Sequence, residues 1–368
     1  MGIEPTEHVS RLVPYIVSGS AQLSLEDKSK FLKLDWNEAT YPPSPLVKRR
    51  LFEFIEAGQL CFYPDVTAIE LREKLSCYLG LEVSFIQAFN GSDAAIDAIC
   101  ATYVACGNSI LVREPVYTQP YTSMQVRGAN LVTFTGESPF DKVLAKYHAY
   151  LSNNAFRLVY IVNPNNPTGV LYEASEVQEL LVAYPETLFV VDEAYSDYAR
   201  TTVVGLVKDN NNLIVVRTFS KAFGLAGLRI GYVVSQPRII DDLNRIRNGK
   251  EVNVMAQIAA SATLDDLSYV EDRVNQVVQT RGWLVRNLRE HGIECHETPA
   301  NFILIRVPHV PEVIRRLAEA RILVRDRSHL PQLEGYIRVT IGMPEEMKQF
   351  LDALKALPDS IIRHQGEK

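Results

Sequence analysis

Short apolar runs alternate with longer amphipathic segments through the middle of the chain, from about residue 85 to residue 234. The runs are FIQAF from Phe85, SILVR from Ser109, LVYIV from Leu158, LFVVD from Leu188, LIVVRT from Leu213 and IGYVV from Ile230. Continuously apolar runs are typical of strands buried on both faces, and the segments between them, such as AAIDAICATYVA, have helical spacing. The pattern predicts an α/β fold with a three-layer large domain, in which helices cover both faces of a mostly parallel sheet.

The pattern changes after Leu264. A long amphipathic helix is predicted up to about Gly292, followed by FILIRV, a helix through VIRRLAEA, ILVRD, YIRVTIG and a final helix through EEMKQFLDALKAL. This order predicts a small α+β domain beside the large one. We expect an N-terminal segment over 1–34 that joins the small domain, a large domain over 35–264 and a small C-terminal domain over 265–368.

Composition and charge narrow the class of protein. The chain has 368 residues, is 47% hydrophobic and carries a formal net charge of −6, so it can bury a sizeable core and offers no basic patch for nucleic acid. It shows no signal-peptide pattern and no apolar run long enough to span a membrane. The five cysteines are scattered, without metal-ligand spacing. We expect a cytoplasmic protein with reduced thiols, no metal site, and no nucleic-acid or membrane partner.

The segment TFSKAFGLAGLRIGY, which begins at Thr218, contains the most informative lysine. Lys221 follows an apolar strand in a turn rich in Ser and Gly. A lysine there can form an imine with a carbonyl cofactor if its surroundings lower its pKa, and Ser220 and Arg229 can hold an anionic group beside it. Taken alone, a lysine after a strand is usually a solvated surface residue.

Two polar turns follow other predicted strands. Asp192 ends LFVVD with Tyr195 three residues beyond, and NPNNPTG, which begins at Asn163, contains Asn166. A carboxylate at a strand end can keep a pyridine nitrogen protonated, and an amide can bind a phenolic oxygen. The alternatives are a helix N-cap for Asp192 and a merely structural turn for Asn166.

A third turn, NGSD from Asn90, precedes a predicted helix. We expect Ser92 to be the N-cap, and the free N–H groups at Ser92 and Asp93 to form a phosphate site. Tyr117, which follows the strand SILVR, can stack on an aromatic ring at the same edge of the sheet. Core packing is the ordinary alternative for this tyrosine.

Together these motifs resemble the class I/II aminotransferases, the fold type I enzymes that use pyridoxal 5′-phosphate. NPNNPTG, DEAY and TFSKAFGLAGLRIGY occur in the family's order and at its spacings. Within that superfamily the chain is most similar to the histidinol-phosphate aminotransferases. The further matching pieces are LVPYI near Tyr15, FYPD at Tyr63, NGSDAAID at Gly91, ILVRD at Arg325 and YIRVTIG at Arg338.

The resemblance implies a role for each cofactor-site residue. Lys221 would bind the cofactor's aldehyde and shuttle the proton, and Asp192 would pair with the ring nitrogen. Tyr195 and Asn166 would bind the phenolic oxygen. The remaining contacts would be ring stacking by Tyr117 and phosphate binding by Ser92, Asp93, Ser220, Arg229 and, from the second subunit of a homodimer, Tyr63.

On the substrate side, the resemblance assigns Arg338 to an anionic group of the substrate and Arg325 to the phosphate of histidinol phosphate. Tyr15 and Asn166 would also contact the substrate. The alternative is a structural role, in which either arginine pairs with a local acid such as Asp326 or Glu334. The resemblance therefore predicts amino transfer between an anionic amine, histidinol phosphate or a related compound, and a 2-oxo acid such as 2-oxoglutarate, as in histidine or other amino-acid biosynthesis.

Two segments depart from the family pattern. DWNEATYPP, from Asp35, stands where the family reads close to Asn-Glu-Asn-Pro, and GKEVNVMAQ, from Gly249, replaces a Pro-Tyr-rich segment. A related amine substrate is therefore open. A decarboxylase of a phosphorylated amino acid, as in the similar threonine-phosphate decarboxylases, would use the same lysine and aspartate. A non-catalytic nucleotide-binding protein would need a GxGxxG turn after the first strand, and the sequence has none.

Overall fold

The computed structural model describes residues 3–12, 20 and 23–364. Within them, the strands in chain order are β1 Leu32–Lys33, β2 Ile86–Phe89, β3 Ser109–Arg113, β4 Asn130–Phe134, β5 Leu158–Val162, β6 Leu188–Asp192, β7 Leu213–Thr218, β8 Gly231–Ser235, β9 Cys295–Glu297, β10 Phe302–Arg306, β11 Ile322–Leu323, β12 Arg325–Asp326 and β13 Tyr336–Thr340.

The α-helices are α1 Glu7–Ser10, α2 Leu25–Lys28, α3 Pro45–Glu56, α4 Ile69–Leu79, α5 Gly91–Tyr103, α6 Gln119–Gln125, α7 Leu144–Asn153, α8 Ala174–Ala183, α9 Ser196–Ala199, α10 Pro237–Asn244, α11 Val254–Leu264, α12 Leu267–Glu290, α13 Val310–Glu319, α14 Pro344–Lys355 and α15 Asp359–Ile362. Short 3₁₀ helices cover Gln59–Cys61, Val83–Phe85, Val204–Lys208 and Ala226–Leu228.

A seven-stranded sheet forms the centre of the fold, in the order β2-β8-β7-β6-β5-β3-β4. The five strands from β7 to β4 are parallel to one another, and β8 is antiparallel to both β2 and β7. The mostly parallel sheet predicted from the apolar runs is confirmed. The prediction omitted β4 because this edge strand is partly exposed and its sequence, NLVTF, contains polar residues at its exposed positions.

Helices cover both faces of this sheet, which confirms the three layers. The alternation of side chains along β5 shows the two faces: Val159 and Ile161 pack into the core shared with α7, α8, α11 and α12. Leu158, Tyr160 and Val162 point to the opposite core, which contains α5, α6 and α10. A strand buried on both sides has no polar face, and for this reason LVYIV is apolar throughout.

A second, antiparallel sheet has the order β12-β13-β10-β9. The predicted run ILVRD divides into β11 and β12, because Ile322 and Leu323 pair in parallel with β1 whereas Arg325 and Asp326 pair with β13. β9 carries no apolar run and was not predicted. The N-terminal segment is attached here, and the Thr340 amide also donates to the Leu34 carbonyl over 2.9 Å.

The carboxyl ends of β5, β6 and β7 lie side by side and lead into the turns at Asn163, Glu193 and Phe219. In open α/β sheets, ligands bind beyond these ends. All five cysteines are free thiols. Over the described ranges, none of the helices combines the length and the apolar character needed to cross a membrane.

Candidate active site

A cavity of about 490 Å³ opens at the carboxyl edge of the large sheet. All but two of the predicted site residues line it, namely Ser92, Asp93, Tyr117, Asn166, Asp192, Tyr195, Ser220, Lys221, Arg229, Arg325 and Arg338. These residues come from distant parts of the sequence and from both sheets. The strand ends and the small sheet therefore build one cavity together.

Lys221 lies in the turn after β7. The buried side chains of Phe219, Ala222 and Phe223 anchor this turn on the core side, and the Gly224 amide donates to the Lys221 carbonyl over 3.1 Å. The Lys221 ammonium donates to the Trp36 carbonyl over 3.0 Å. The backbone of the turn is thus fixed while the amine is held at the cavity.

Asp192 is 4% exposed and ends β6 inside the cavity. Its carboxylate accepts from the Tyr160 hydroxyl over 2.9 Å and from the Ala194 amide over 3.0 Å. Burial raises the pKa of Asp192 to about 6, and these two hydrogen bonds oppose that shift. The N-cap alternative is wrong, because the following helix α9 begins only at Ser196 with Tyr195 at the N-cap.

Tyr195 and Asn166 belong to one hydrogen-bond network with residues of the small sheet. The Tyr195 hydroxyl accepts from Asn37 Nδ2 over 3.0 Å and from Asn166 Nδ2 over 3.3 Å. Arg338 donates from Nη1 to Asn166 Oδ1 and from Nη2 to the Asp35 carbonyl, both over 2.7 Å. Arg338, Asn166 and Tyr195 are therefore linked by hydrogen bonds, so a group that binds Arg338 also affects the hydrogen bond between Asn166 and Tyr195.

Arg229, Asp93 and Ser220 converge at the start of α5. Arg229 donates from Nη2 to Asp93 Oδ2 over 3.1 Å and from Nη1 to Ser220 Oγ over 3.4 Å. The Tyr117 hydroxyl donates to Asp93 Oδ1 over 3.3 Å. A guanidinium, a hydroxyl and the first N–H groups of a helix form a donor set that suits a phosphate.

Gly91 allows the Arg229 guanidinium to approach the start of α5 closely. Its φ is +83°, and a Cβ atom there would lie 2.8 Å from Arg229 Nη2. The helix begins at Gly91 with Asn90 as N-cap. The expectation that Ser92 is the N-cap was therefore wrong, and Ser92 lies in the first turn, where its N–H has no intrahelical acceptor.

Arg325 and Arg338 face each other across the β12–β13 pair. Arg338 is 3% exposed, and the Arg325 guanidinium carbon lies 5.9 Å from the centre of the Trp36 ring. Asp326, one of the alternative partners, accepts from the Ser328 amide over 2.7 Å. Both arginines thus line the cavity.

Tyr63 does not line the cavity of its own chain. It is 78% exposed, and the Lys250 ammonium lies 4.5 Å from the centre of its ring. Tyr15 lies outside the described residues. Sequence reasoning did not single out Tyr160, Asn37, Trp36 or Arg327, and all four line the cavity or bind a residue that does.

Comparisons with known proteins identify the family of this chain. The family "Aminotransferase class I and II" matches residues 29–354. A dihydroxyacetone phosphate transaminase from Campylobacter jejuni is 33% identical over 96% of this chain and 97% of its own. A histidinol-phosphate aminotransferase from Ruminiclostridium cellulolyticum is 32% identical over 89% of this chain and 92% of its own.

Among solved structures, the histidinol-phosphate aminotransferase from Sinorhizobium meliloti in complex with pyridoxal 5′-phosphate has the same fold. Its TM-score is 0.86 at 24% identity, and the match covers 97% of this chain and 99% of that one. The family match spans most of the sequence and includes the lysine turn, the two polar turns and the start of α5. The chain therefore belongs to aminotransferase class I and II, a family of pyridoxal-phosphate enzymes.

Proposed function

We propose that this protein moves an amino group between a phosphate-bearing amine and a 2-oxo acid such as 2-oxoglutarate, with pyridoxal 5′-phosphate as cofactor. The observation that carries the proposal is the arrangement of Lys221, Asp192 and Arg229 around one cavity at the carboxyl edge of the sheet. An amine, a buried carboxylate and a phosphate site are the three groups that a phosphorylated pyridine aldehyde requires. Similar proteins named as transaminases of phosphorylated compounds support the substrate class.

The residues present fit this cofactor. The phosphate would occupy the cradle formed by Ser92, Asp93, Ser220 and Arg229, where Gly91 leaves space that a Cβ atom would fill. The pyridine nitrogen would meet Asp192, whose buried carboxylate gains a cationic partner there. Bound in this way, pyridoxal phosphate supplies an electron sink for bond breaking at the substrate carbon that bears the amine.

The chain's own residues supply binding, orientation and proton transfer. Asp192 would keep the proton on the ring nitrogen, and Tyr117 would stack on the ring. Asn166 and Tyr195 would donate to the phenolic oxygen and so would orient the ring. Lys221 Nζ is the amine that the lysine turn holds at the cavity, so it would bind the cofactor's aldehyde group and would move the substrate proton.

Arg338 and Arg325 are proposed to bind the anionic end of the substrate. Arg338 already donates to Asn166 and to the Asp35 carbonyl, so its planar fork is oriented before substrate arrives. Histidinol phosphate and dihydroxyacetone phosphate, the compounds in the names of the relatives, both carry a phosphate. The pair of forks suits that group.

A cytoplasmic homodimer is proposed as the working form. Large apolar side chains are exposed along α3 and the segment after it, among them Phe52, Ile55, Leu60 and Phe62. Several exposed large apolar side chains within one short segment are typical of an interface. Tyr63 lies in the same segment, and its exposed hydroxyl is available to the cofactor phosphate of a partner subunit.

A screen of amino donors and acceptors with product analysis tests the function. We expect one mole of 2-oxo acid to be converted to its amino acid for each mole of phosphorylated amine consumed, without release of CO₂. A Lys221→Ala protein purified in parallel controls for contaminating transaminases. Release of one CO₂ per amine consumed, without amino transfer, would instead identify a decarboxylase and overturn the proposal.

A further inference from the structure

A buried ion pair lies behind the site, on the opposite face of the large sheet. Glu193 Oε2 accepts from Arg217 Nε over 2.9 Å and from Arg217 Nη2 over 2.8 Å, and the two side chains are 0% and 8% exposed. Glu193 directly follows Asp192, which lines the cavity from β6, and Arg217 directly precedes Thr218, which lines it from β7. Because successive side chains point to opposite faces of a sheet, the ion pair projects into the core behind the cavity. It therefore joins β6 and β7 directly beneath Asp192.

The other contacts of Glu193 hold it just as firmly. Its Oε2 also accepts from Thr202 Oγ1 over 2.8 Å, and its Oε1 accepts from the Val203 amide over 2.5 Å. The Glu193 amide donates to the Val216 carbonyl over 2.9 Å, which continues the pairing of β6 with β7 beyond Asp192. Both the side chain and the backbone of Glu193 are thus fixed.

Glu193 also lies between Asp192 and a donor that binds it. The Ala194 amide donates to Asp192 Oδ1 over 3.0 Å. A rotation of the chain at Glu193 would move this amide and so would displace the carboxylate that it holds. The ion pair on one face of the sheet therefore determines where the Asp192 carboxylate lies on the other face.

Stability alone does not account for the pair. Two charges lose their hydration on burial, and replacing a buried ion pair by apolar side chains of similar size is often neutral or stabilising. The other side chains of β6 and β7 that face this core are apolar, namely Phe189, Val191, Leu213 and Val215. What the pair adds is direction, because hydrogen bonds between a guanidinium and a carboxylate fix orientation, whereas apolar contacts do not.

We propose that Glu193 and Arg217 are positioning residues for amino transfer, which hold the Asp192 carboxylate where it meets the ring nitrogen of the cofactor. The inference rests on the proposed function, because it requires the cofactor to bind at Asp192. Neither Glu193 nor Arg217 lines the cavity, so both act through Asp192. A displacement of about 1 Å in an active site can cost roughly a hundredfold in rate, so a small shift of this carboxylate is enough to slow the reaction.

The double variant Glu193→Gln/Arg217→Met tests the proposal, since it removes both charges together. The new amide keeps an acceptor for the Val203 N–H, and the methionine fills space left by the arginine. We expect amino transfer to slow roughly tenfold or more, while pyridoxal phosphate still binds. The pH at which the visible absorption of the bound cofactor changes should shift in the same direction as in Asp192→Asn, because both changes weaken the contact with the ring nitrogen.

A double-mutant cycle, measured in single turnovers, shows whether the pair acts through Asp192. In the Asp192→Asn background, the double variant should slow the reaction by less than about threefold more, because the carboxylate that the pair holds is already gone. Losses that multiply in full would overturn the inference. If the double variant does not fold, Arg217→Lys enters the same cycle, because it keeps the charge but replaces the planar fork by a single ammonium.

Lys74→Met/Asp265→Asn is the matched control, because this ion pair joins α4 to the end of α11 over 2.6 Å and neither residue lines the cavity. It should leave the rate and the absorption of the cofactor unchanged. A Glu193→Gln/Arg217→Met protein with the rate and absorption of the wild type would contradict the inference. The proposed function fails separately, if the wild-type protein takes up no pyridoxal phosphate or transfers no amino group.

Discussion

Asp192 shows at the scale of one residue how burial and ligand charge are coupled. The side chain is 4% exposed, and burial raises its pKa to about 6, above the ordinary value of 3.8. Without a cationic partner the carboxyl therefore keeps its proton in mildly acidic solution. A protonated ring nitrogen would stabilise the charged form, so the site is suited to a cationic ligand.

We expect the cofactor-free protein to lose stability through Asp192 as the pH rises from about 4 to about 7. The folded-state pKa lies above the unfolded one, so the folded protein binds more protons in this window and the free energy of unfolding falls as the pH rises, by up to ~3 kcal/mol. Asp192→Asn removes this titration. Urea unfolding of both proteins across the pH range measures the effect, and a stability difference that does not change with pH would contradict it.

Sequence reasoning at this scale found cavity-lining residues that lie in motifs and missed residues that join the site through a distant contact. The lysine turn and the two polar turns could be found because each follows an apolar strand. Tyr160 lies inside the apolar run LVYIV and looks like core, yet its hydroxyl binds Asp192. Asn37 reaches Tyr195 only because the small sheet brings residues 158 positions apart into contact.

At the scale of elements, the predicted strands of the large sheet are those buried on both faces. β4 and β9 carry polar residues at exposed positions and give no apolar run. ILVRD was predicted as one strand, but the structure pairs its two halves with different partners, β1 and β13. The pattern of hydrophobic residues indicates which strands are buried. The strand with which each of them pairs depends on the rest of the chain.

The junction of β2 and α5 gives a prediction at this scale. Gly91→Ala should raise the dissociation constant for pyridoxal phosphate about tenfold or more, because the added Cβ would meet Arg229 Nη2 at 2.8 Å and displace it from the cradle. The left-handed backbone at Gly91 should also cost about 1–2 kcal/mol of stability. Cofactor titration followed by absorbance measures the first effect.

Gly80→Ala is the matched control for that experiment. Gly80 also has a left-handed backbone, with φ +64°, but a Cβ atom there would have no atom within 4 Å. It should show a similar loss of stability with unchanged cofactor affinity. Equal cofactor affinity in the two variants would show that Gly91 does not shape the cradle.

At the scale of the whole molecule, the predicted family, cofactor and fold class are confirmed, and the site is assembled from both sheets. β1 pairs with β11, and the residues that follow it, Trp36 and Asn37, reach the lysine turn and Tyr195. The domain boundaries at 34/35 and 264/265 and the role of each site residue stay predictions. The contacts between subunits could not be predicted from one sequence, because an exposed apolar side chain does not indicate which surface it packs against.

Mixed dimers test the proposed sharing of the site. Lys221→Ala and Tyr63→Phe subunits should recover activity when they are combined, because one of the two sites in each heterodimer then contains both normal residues. The assay is run at limiting cofactor, where the Tyr63→Phe homodimer is impaired. Heterodimers that form, as shown by native mass spectrometry, without any recovery of activity would place Tyr63 in the site of its own chain.

The identity of the lysine that holds the cofactor decides whether the cavity at the carboxyl edge of the large sheet is the active site. The purified protein is loaded with pyridoxal phosphate and treated with borohydride, which makes the bond between cofactor and lysine permanent, and the labelled peptide is identified by mass spectrometry. We predict one label, on Lys221, and no stable label in Lys221→Ala. A label on a different lysine, or an unlabelled Lys221 in protein that has bound the cofactor, would contradict it.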